Sequence, residues 1–123
     1  MRLEAVTKRF GAKTIVSDLS LHVEQGEIVA LLGASGSGKT TLLRLICGIL
    51  MPDAGRVLIG GLDVTRAAPE ARGLGYVFQD YALMPHLSVL ENLLLVMHRE
   101  AKQSARDRAL ELVRTVGLSG FED

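Results

Sequence analysis

Residues 33–40 read Gly-Ala-Ser-Gly-Ser-Gly-Lys-Thr, and no other stretch constrains the fold of this 123-residue chain so tightly. Gly33, Gly38, Lys39 and Thr40 occupy the four fixed positions of the phosphate-loop pattern G-x-x-x-x-G-K-[ST]. Glycines let a backbone turn sharply, so that successive N–H groups can point at one anion. A helix starting at the end of such a loop adds its positive N-terminal end. The loop therefore needs a strand to deliver it and a helix to receive it. Ile28–Leu32 is an unbroken apolar run, which suits a strand buried on both faces of a parallel sheet. Thr40–Leu50 carries Leu42, Leu43, Leu45, Ile46, Ile49 and Leu50 at helical spacing, with Pro52-Asp53-Ala54-Gly55 as the turn that ends it. Within the loop, Gly36 and Ser37 belong to the cradle, Lys39 offers a point charge to β- and γ-phosphates, and the Thr40 hydroxyl offers a ligand to magnesium. A dinucleotide fingerprint is excluded, because Thr41 stands where the third glycine after Gly36 and Gly38 should be.

The remaining segments alternate between strand and helix patterns. Leu19, Leu21 and Val23 alternate with Ser20, His22 and Glu24, as in a strand with one wet face. Val57–Ile59 and Leu62–Val64 flank Gly60-Gly61, a hairpin signal. Leu74–Phe78 reads as a further strand. Ser88 and Glu91 form a capping box that opens a helix through about Met97. A last amphipathic helix, about Ala105–Val116, carries Ala109, Leu112, Val113 and Val116 and closes at Gly117. An α/β fold is expected.

A chain of this length makes one domain and buries about two thirds of its unfolded surface. Fourteen basic and fourteen acidic residues leave no formal net charge, against the basic excess of a nucleic-acid binder. The longest apolar runs, Ile28–Leu32 and Leu93–Met97, fall far short of a membrane span. No secretory signal is read, and Cys47 alone builds neither a disulfide framework nor a zinc site. A cytoplasmic protein is the expectation. His22, His86 and His98 show no ligand spacing, and Cys47 reads as packing on the helix after the loop.

Phosphate loops serve GTPases, kinases, motors and transporters. A guanine-specific N-K-x-D motif is ruled out, since the sole asparagine is Asn92 in "ENLLL". "GYVFQDYALMPHLSVLENL", residues 75–93, together with "GEIVALLGASGSGKTTLLRLICGILMPDAGRVLIGG", residues 26–61, resembles the ATP-binding subunit of an ABC transporter. More narrowly, it is similar to importer subunits for sulfate, iron, polyamines or sugars. The resemblance implies a P-loop NTPase fold of the ABC type, with ATP and Mg2+ as ligands. It places Phe10 where an aromatic ring stacks on adenine, Ser35 within the cradle, and Thr41 with its hydroxyl toward the α-phosphate. Gln79 matches a glutamine that ligates magnesium or holds the attacking water. Asp80–Leu87 resembles the surface that receives transmembrane permease subunits, and a second ATP-binding subunit would pair head to tail. Such a subunit lies peripherally on the inner face of the cell membrane.

Hydrolysis in that family needs further parts. The chain has no run of four apolar residues into an aspartate, and "GLSGF" at 117–121 only approximates the LSGGQ signature. No switch histidine is found. The expectation is the N-terminal half of a longer domain, residues 1–82 giving part of the nucleotide-binding core and 83–123 the beginning of a helical subdomain. It should bind ATP without hydrolysing it alone. Lacking an acidic strand beside it, Ile28–Leu32 should form an unpaired apolar edge, an aggregation liability. The alternative is a non-hydrolytic nucleotide-binding or interaction half-domain.

Overall fold

The computed structural model describes residues 1–97 and 101–121, so the expectation for His98 lies outside the described residues. The chain divides into two compact units, Met1–Tyr76 and Val77–Asp123.

In the first unit, β1 (Arg2–Phe10) and β2 (Lys13–His22) form an antiparallel pair, followed by α1 (Lys39–Cys47), β3 (Ala54–Ile59) and β4 (Leu62–Asp63). The sheet order is β2-β1-β3-β4, antiparallel throughout. Gly60 and Gly61 both take positive φ, at 58° and 81°, and make the tight β3–β4 hairpin that their sequence signals. Leu19, Leu21 and Val23 are half-buried while Ser20, His22 and Glu24 are exposed, as their alternation requires. Leu42 and Leu45 of α1 pack with Leu3, Val6, Val16 and Val57 into one core. Each such side chain contributes about 1.5–3 kcal/mol by leaving water.

Strand β1 is not expected from the sequence, and three expected elements differ from its reading. Ile28–Leu32 is not a strand, and Ile28 is 98% and Leu32 88% exposed. Leu74–Phe78 likewise carries no strand hydrogen bonding. Neither segment has a strand beside it among the described residues, and an extended chain without a neighbour makes no ladder and buries neither face. Helix α1 stops at Cys47 rather than Leu50, because Gly48 turns left-handed at φ 81° and its N–H donates to the Leu45 carbonyl.

The second unit holds α2 (Val89–Val96) and α3 (Lys102–Thr115), which pack together. The capping box forms completely: the Glu91 N–H donates to Ser88 Oγ at 3.2 Å, and the Ser88 N–H donates to Glu91 Oε2 at 2.8 Å. Ala105, Ala109 and Val113, four residues apart, are the buried stripe of α3, joined by Leu90 of α2. Leu112 and Val116 instead stand 39% and 65% exposed.

Candidate functional site

Lys39 is the first residue of α1, and its ammonium is folded back onto the loop that precedes it. Nζ donates to the carbonyls of Gly33 and Ala34, both at 2.7 Å, and to Ser37 Oγ at 3.4 Å. The loop is thus closed by its own cation. The Ser37 N–H donates to the Ala34 carbonyl at 3.2 Å, and Gly38 leads into the helix with φ 95°. A side chain at 38 would be strained by that φ, and its Cβ would stand 3.1 Å from the Ile15 carbonyl. A Cβ at 33 would stand 2.7 Å from Ser37 Oγ. At 38 glycine is therefore a matter of space as well as of turning, whereas at 33 the Ser37 hydroxyl could rotate aside.

The start of α1 suits an anion. A helix leaves its first N–H groups without partners inside it, here those of Lys39, Thr40 and Thr41. The Leu42 N–H is taken by the Gly38 carbonyl at 2.8 Å. No side chain caps this end and no acidic residue lies in its first turn, so nothing negative already occupies the positive pole. Over it opens a hollow of about 280 Å³ lined by Phe10, Ile15, Gly36, Gly38, Lys39, Thr40 and Thr41. Gly33 and Ser37 line a second hollow of about 260 Å³ with Lys39 and Leu32. Ser35 is exposed at the turn of the loop and lines neither. A larger hollow, about 850 Å³, lies between Met51–Arg56 and Asp63–Ala67. No loop residue lines it, and its two aspartates and two arginines give no preference for an anion.

Gln79 belongs to the second unit and is exposed in a turn closed by the Tyr81 N–H donating to the Phe78 carbonyl at 3.0 Å. Asp80–His86 is exposed as well. The Asn92 side chain ties this segment to α2. It accepts from the Met84 N–H at 2.9 Å, and its Nδ2 donates to the carbonyls of Met84, Leu87 and Ser88 at 2.9–3.1 Å. Leu83, Met84, Pro85 and Leu93 line an apolar hollow of about 670 Å³ there.

Sequence reasoning passed over Arg72, which is 4% exposed. Its Nη1 donates to the Leu45 and Ile46 carbonyls, both at 2.8 Å, Nη2 to the Thr65 carbonyl at 3.0 Å, and Nε to the Ala67 carbonyl at 3.1 Å. A permanent cation thus closes the negative end of the helix whose positive end carries the loop. Burial pulls the guanidinium below its ordinary pKa and pushes the neighbouring Cys47 thiol above its own, Arg72 partly opposing the latter. Nothing in the run Ala71-Arg72-Gly73 marks this arginine out; only the three-dimensional path of residues 65–72 does.

A family model for ABC transporters matches residues 16–123. The chain belongs to the ABC transporter family. It is 46% identical over 125 aligned positions to the Fe(3+) ions import ATP-binding protein FbpC of Photorhabdus laumondii, covering 100% of this chain and 36% of that one. It is 47% identical over 123 positions to the sulfate/thiosulfate import ATP-binding protein CysA 2 of Chromobacterium violaceum, covering 99% and 34%. The chain thus spans about a third of the length of these relatives.

Among solved structures of ABC cassettes, the dimeric MJ0796 cassette superposes with a TM-score of 0.84 at 29% identity, over 99% of this chain and 60% of that one. Its post-hydrolysis dimer bound to ADP and Pi gives 0.81 at 31% identity, over 98% and 59%. The fold is a partial P-loop NTPase of the ABC type. No helix among its described residues is long and apolar enough to cross a membrane.

Proposed function

We propose that the chain is the ATP-binding part of an import subunit, as the names of its relatives suggest, and that this subunit works with membrane permeases. The observation that supports this best is the shared hollow, which sets an aromatic ring, Phe10, beside the phosphate loop and the start of α1. A triphosphate entering the loop would take Lys39 from the Gly33 and Ala34 carbonyls and meet the first N–H groups of α1. The Phe10 ring would carry the base, and the Thr41 hydroxyl the α-phosphate.

Magnesium keeps several waters and takes few protein oxygens beside those of the phosphates. The exposed Thr40 hydroxyl at the head of α1 fits that chemistry, and by the family resemblance the Gln79 amide would be a second ligand. When bound, the ion would supply neutralising charge to the phosphate oxygens.

In hydrolysis, water attacks the γ-phosphorus, the bond to the β–γ bridging oxygen breaks, and ADP and phosphate leave. This chain's part is to hold the phosphates and offset the charge spread over the γ-oxygens, through Lys39 and backbone N–H groups. Gln79 would orient the water. Asp80–Leu87 would face a permease, and a second ATP-binding subunit would complete each site, as the dimeric cassettes suggest. The subunit would sit on the cytoplasmic face of the membrane. Residues 1–123 by themselves should hold ATP without turning it over, since they include no acidic strand and no LSGGQ.

Calorimetric titration with Mg·ATP tests the reading. Binding that Lys39→Ala weakens by about tenfold or more is expected, on the order of 1.4 kcal/mol. Equal binding by the variant and the parent chain would overturn it. Phosphate release by the parent chain should stay at background. Turnover that Lys39→Ala abolishes would show that these residues suffice for chemistry.

A further inference from the structure

Phe10 is the last residue of β1 and stands half exposed, yet its ring is not left to itself. The Lys8 ammonium lies 5.6 Å from the ring centroid, within reach of a cation–π contact. The same ammonium donates to Asp53 Oδ1 at 3.0 Å, and the Lys8 side chain is only 14% exposed. Asp53 is itself fixed from three directions. Its Oδ2 accepts the Arg9 N–H at 2.6 Å, its own N–H donates to the Thr7 carbonyl at 2.9 Å, and its carboxyl is held below the usual aspartate pKa chiefly by the Arg9 N–H and then by Lys8. The turn that follows α1 therefore grips the last residues of β1 and clamps a cation beside the ring. Lys8 does not line the hollow that Phe10 and the phosphate loop share. Phe10 therefore both lines that hollow and lies within reach of the Lys8 cation.

We propose that Lys8, held by Asp53, is a positioning residue for Phe10, fixing the ring to receive the base of a purine nucleotide whose phosphates lie in the loop. This rests on the reading of Phe10 as the base platform given above. A half-exposed phenylalanine turns about two side-chain bonds, and stacking a base on it costs that freedom unless a contact has already removed it. The cation–pair arrangement removes it before the nucleotide arrives. It acts on the base alone, because Lys8 and Asp53 lie outside the hollow lined by the loop.

The test compares two ligands that share phosphates and differ in the base. Affinities for Mg·ATP and for inorganic tripolyphosphate are measured by calorimetry on the parent chain, Lys8→Met, Lys8→Arg and Phe10→Ala. Lys8→Met should weaken ATP by about three- to tenfold and leave tripolyphosphate within about twofold, whereas Lys8→Arg should recover most of the ATP affinity. If Phe10→Ala lowers the ATP-to-tripolyphosphate ratio and Lys8→Met does not, Phe10 carries the base without help from Lys8 and the proposal fails alone. If Phe10→Ala leaves that ratio unchanged, the base platform itself is wrong and the proposal falls with it. Equal weakening of both ligands by Lys8→Met would mean a general loosening of β1, and would overturn it too. The chain has no tryptophan, so Phe10→Trp supplies a reporter of the ring if Lys8→Met binds too poorly to titrate. Adding Lys8→Met to it should lower the emission anisotropy, and an unchanged value would sink the positioning role.

Discussion

Arg72 is the buried charged side chain among the described residues, and it has no carboxylate partner there. Four backbone carbonyls satisfy it instead, two of them at the end of α1. Arg72→Met would keep much of the bulk while leaving those carbonyls without a donor, a loss of about 2–4 kcal/mol. Arg72→Lys should recover only part, since one ammonium cannot span the fork that a guanidinium fills. Urea unfolding checks both; a cost under about 0.5 kcal/mol for the methionine variant would show that water replaces the arginine. Lys39 and Ser88 could be read directly from the sequence, because loop signature and capping box are patterns of neighbours. Arg72, Lys8 and Asp53 could not. Lys8 and Asp53 meet across forty-odd positions, and nothing local to either announces the other.

At the scale of elements, legibility follows regularity. The β3–β4 hairpin and both second-unit helices obey local rules and emerge near their expected places. Strand β1 escaped the alternation test for a physical reason. Its buried residues, Leu3 and Val6, are three apart, because the register shifts between them where Ala5 takes φ 50°. A bulge of this kind shifts the side-chain alternation and hides a strand from any count by twos. The β3–β4 hairpin carries a pH response. The Val57 N–H donates to Thr65 Oγ1 at 2.9 Å, and that hydroxyl donates to Asp63 Oδ1 at 2.6 Å, as does the Thr65 N–H at 2.9 Å. These bonds lower the Asp63 pKa from its ordinary 3.8, the Thr65 hydroxyl first. A group depressed on folding adds stability above its unfolded pKa and loses it as pH falls through the folded value. Urea midpoints should therefore begin to drop as pH falls through about 4 and keep falling below the ordinary 3.8. Asp63→Asn should be less stable at pH 5 and show a shallower acid decline, with Asp53 supplying the remainder. An unchanged acid decline would remove Asp63 from that role.

For the molecule as a whole, the sequence carried the family, the phosphate loop and its receiving helix. The parallel-sheet strands are where expectation and structure part. An apolar run becomes a buried strand only when neighbours supply hydrogen bonds and cover, and none lies beside Ile28–Leu32 among the described residues. Ile28→Lys should therefore leave the unfolding free energy within about 0.5 kcal/mol of the parent chain and reduce self-association in sedimentation. A large loss of stability would instead place Ile28 inside a packed interface. The order of the sheet has a further consequence. Thr7 of β1 pairs with Ala54 of β3, so residues 8–53, the phosphate loop among them, form one circuit sewn shut by two strands far apart in sequence. Closing it is an entropic hurdle that folding meets before the loop can take its final shape. If the anion cradle takes shape only after that closure, a ligand gripping it would act as a brake on unfolding while leaving the rate of folding nearly untouched, and a ligand that speeds refolding would show the opposite order.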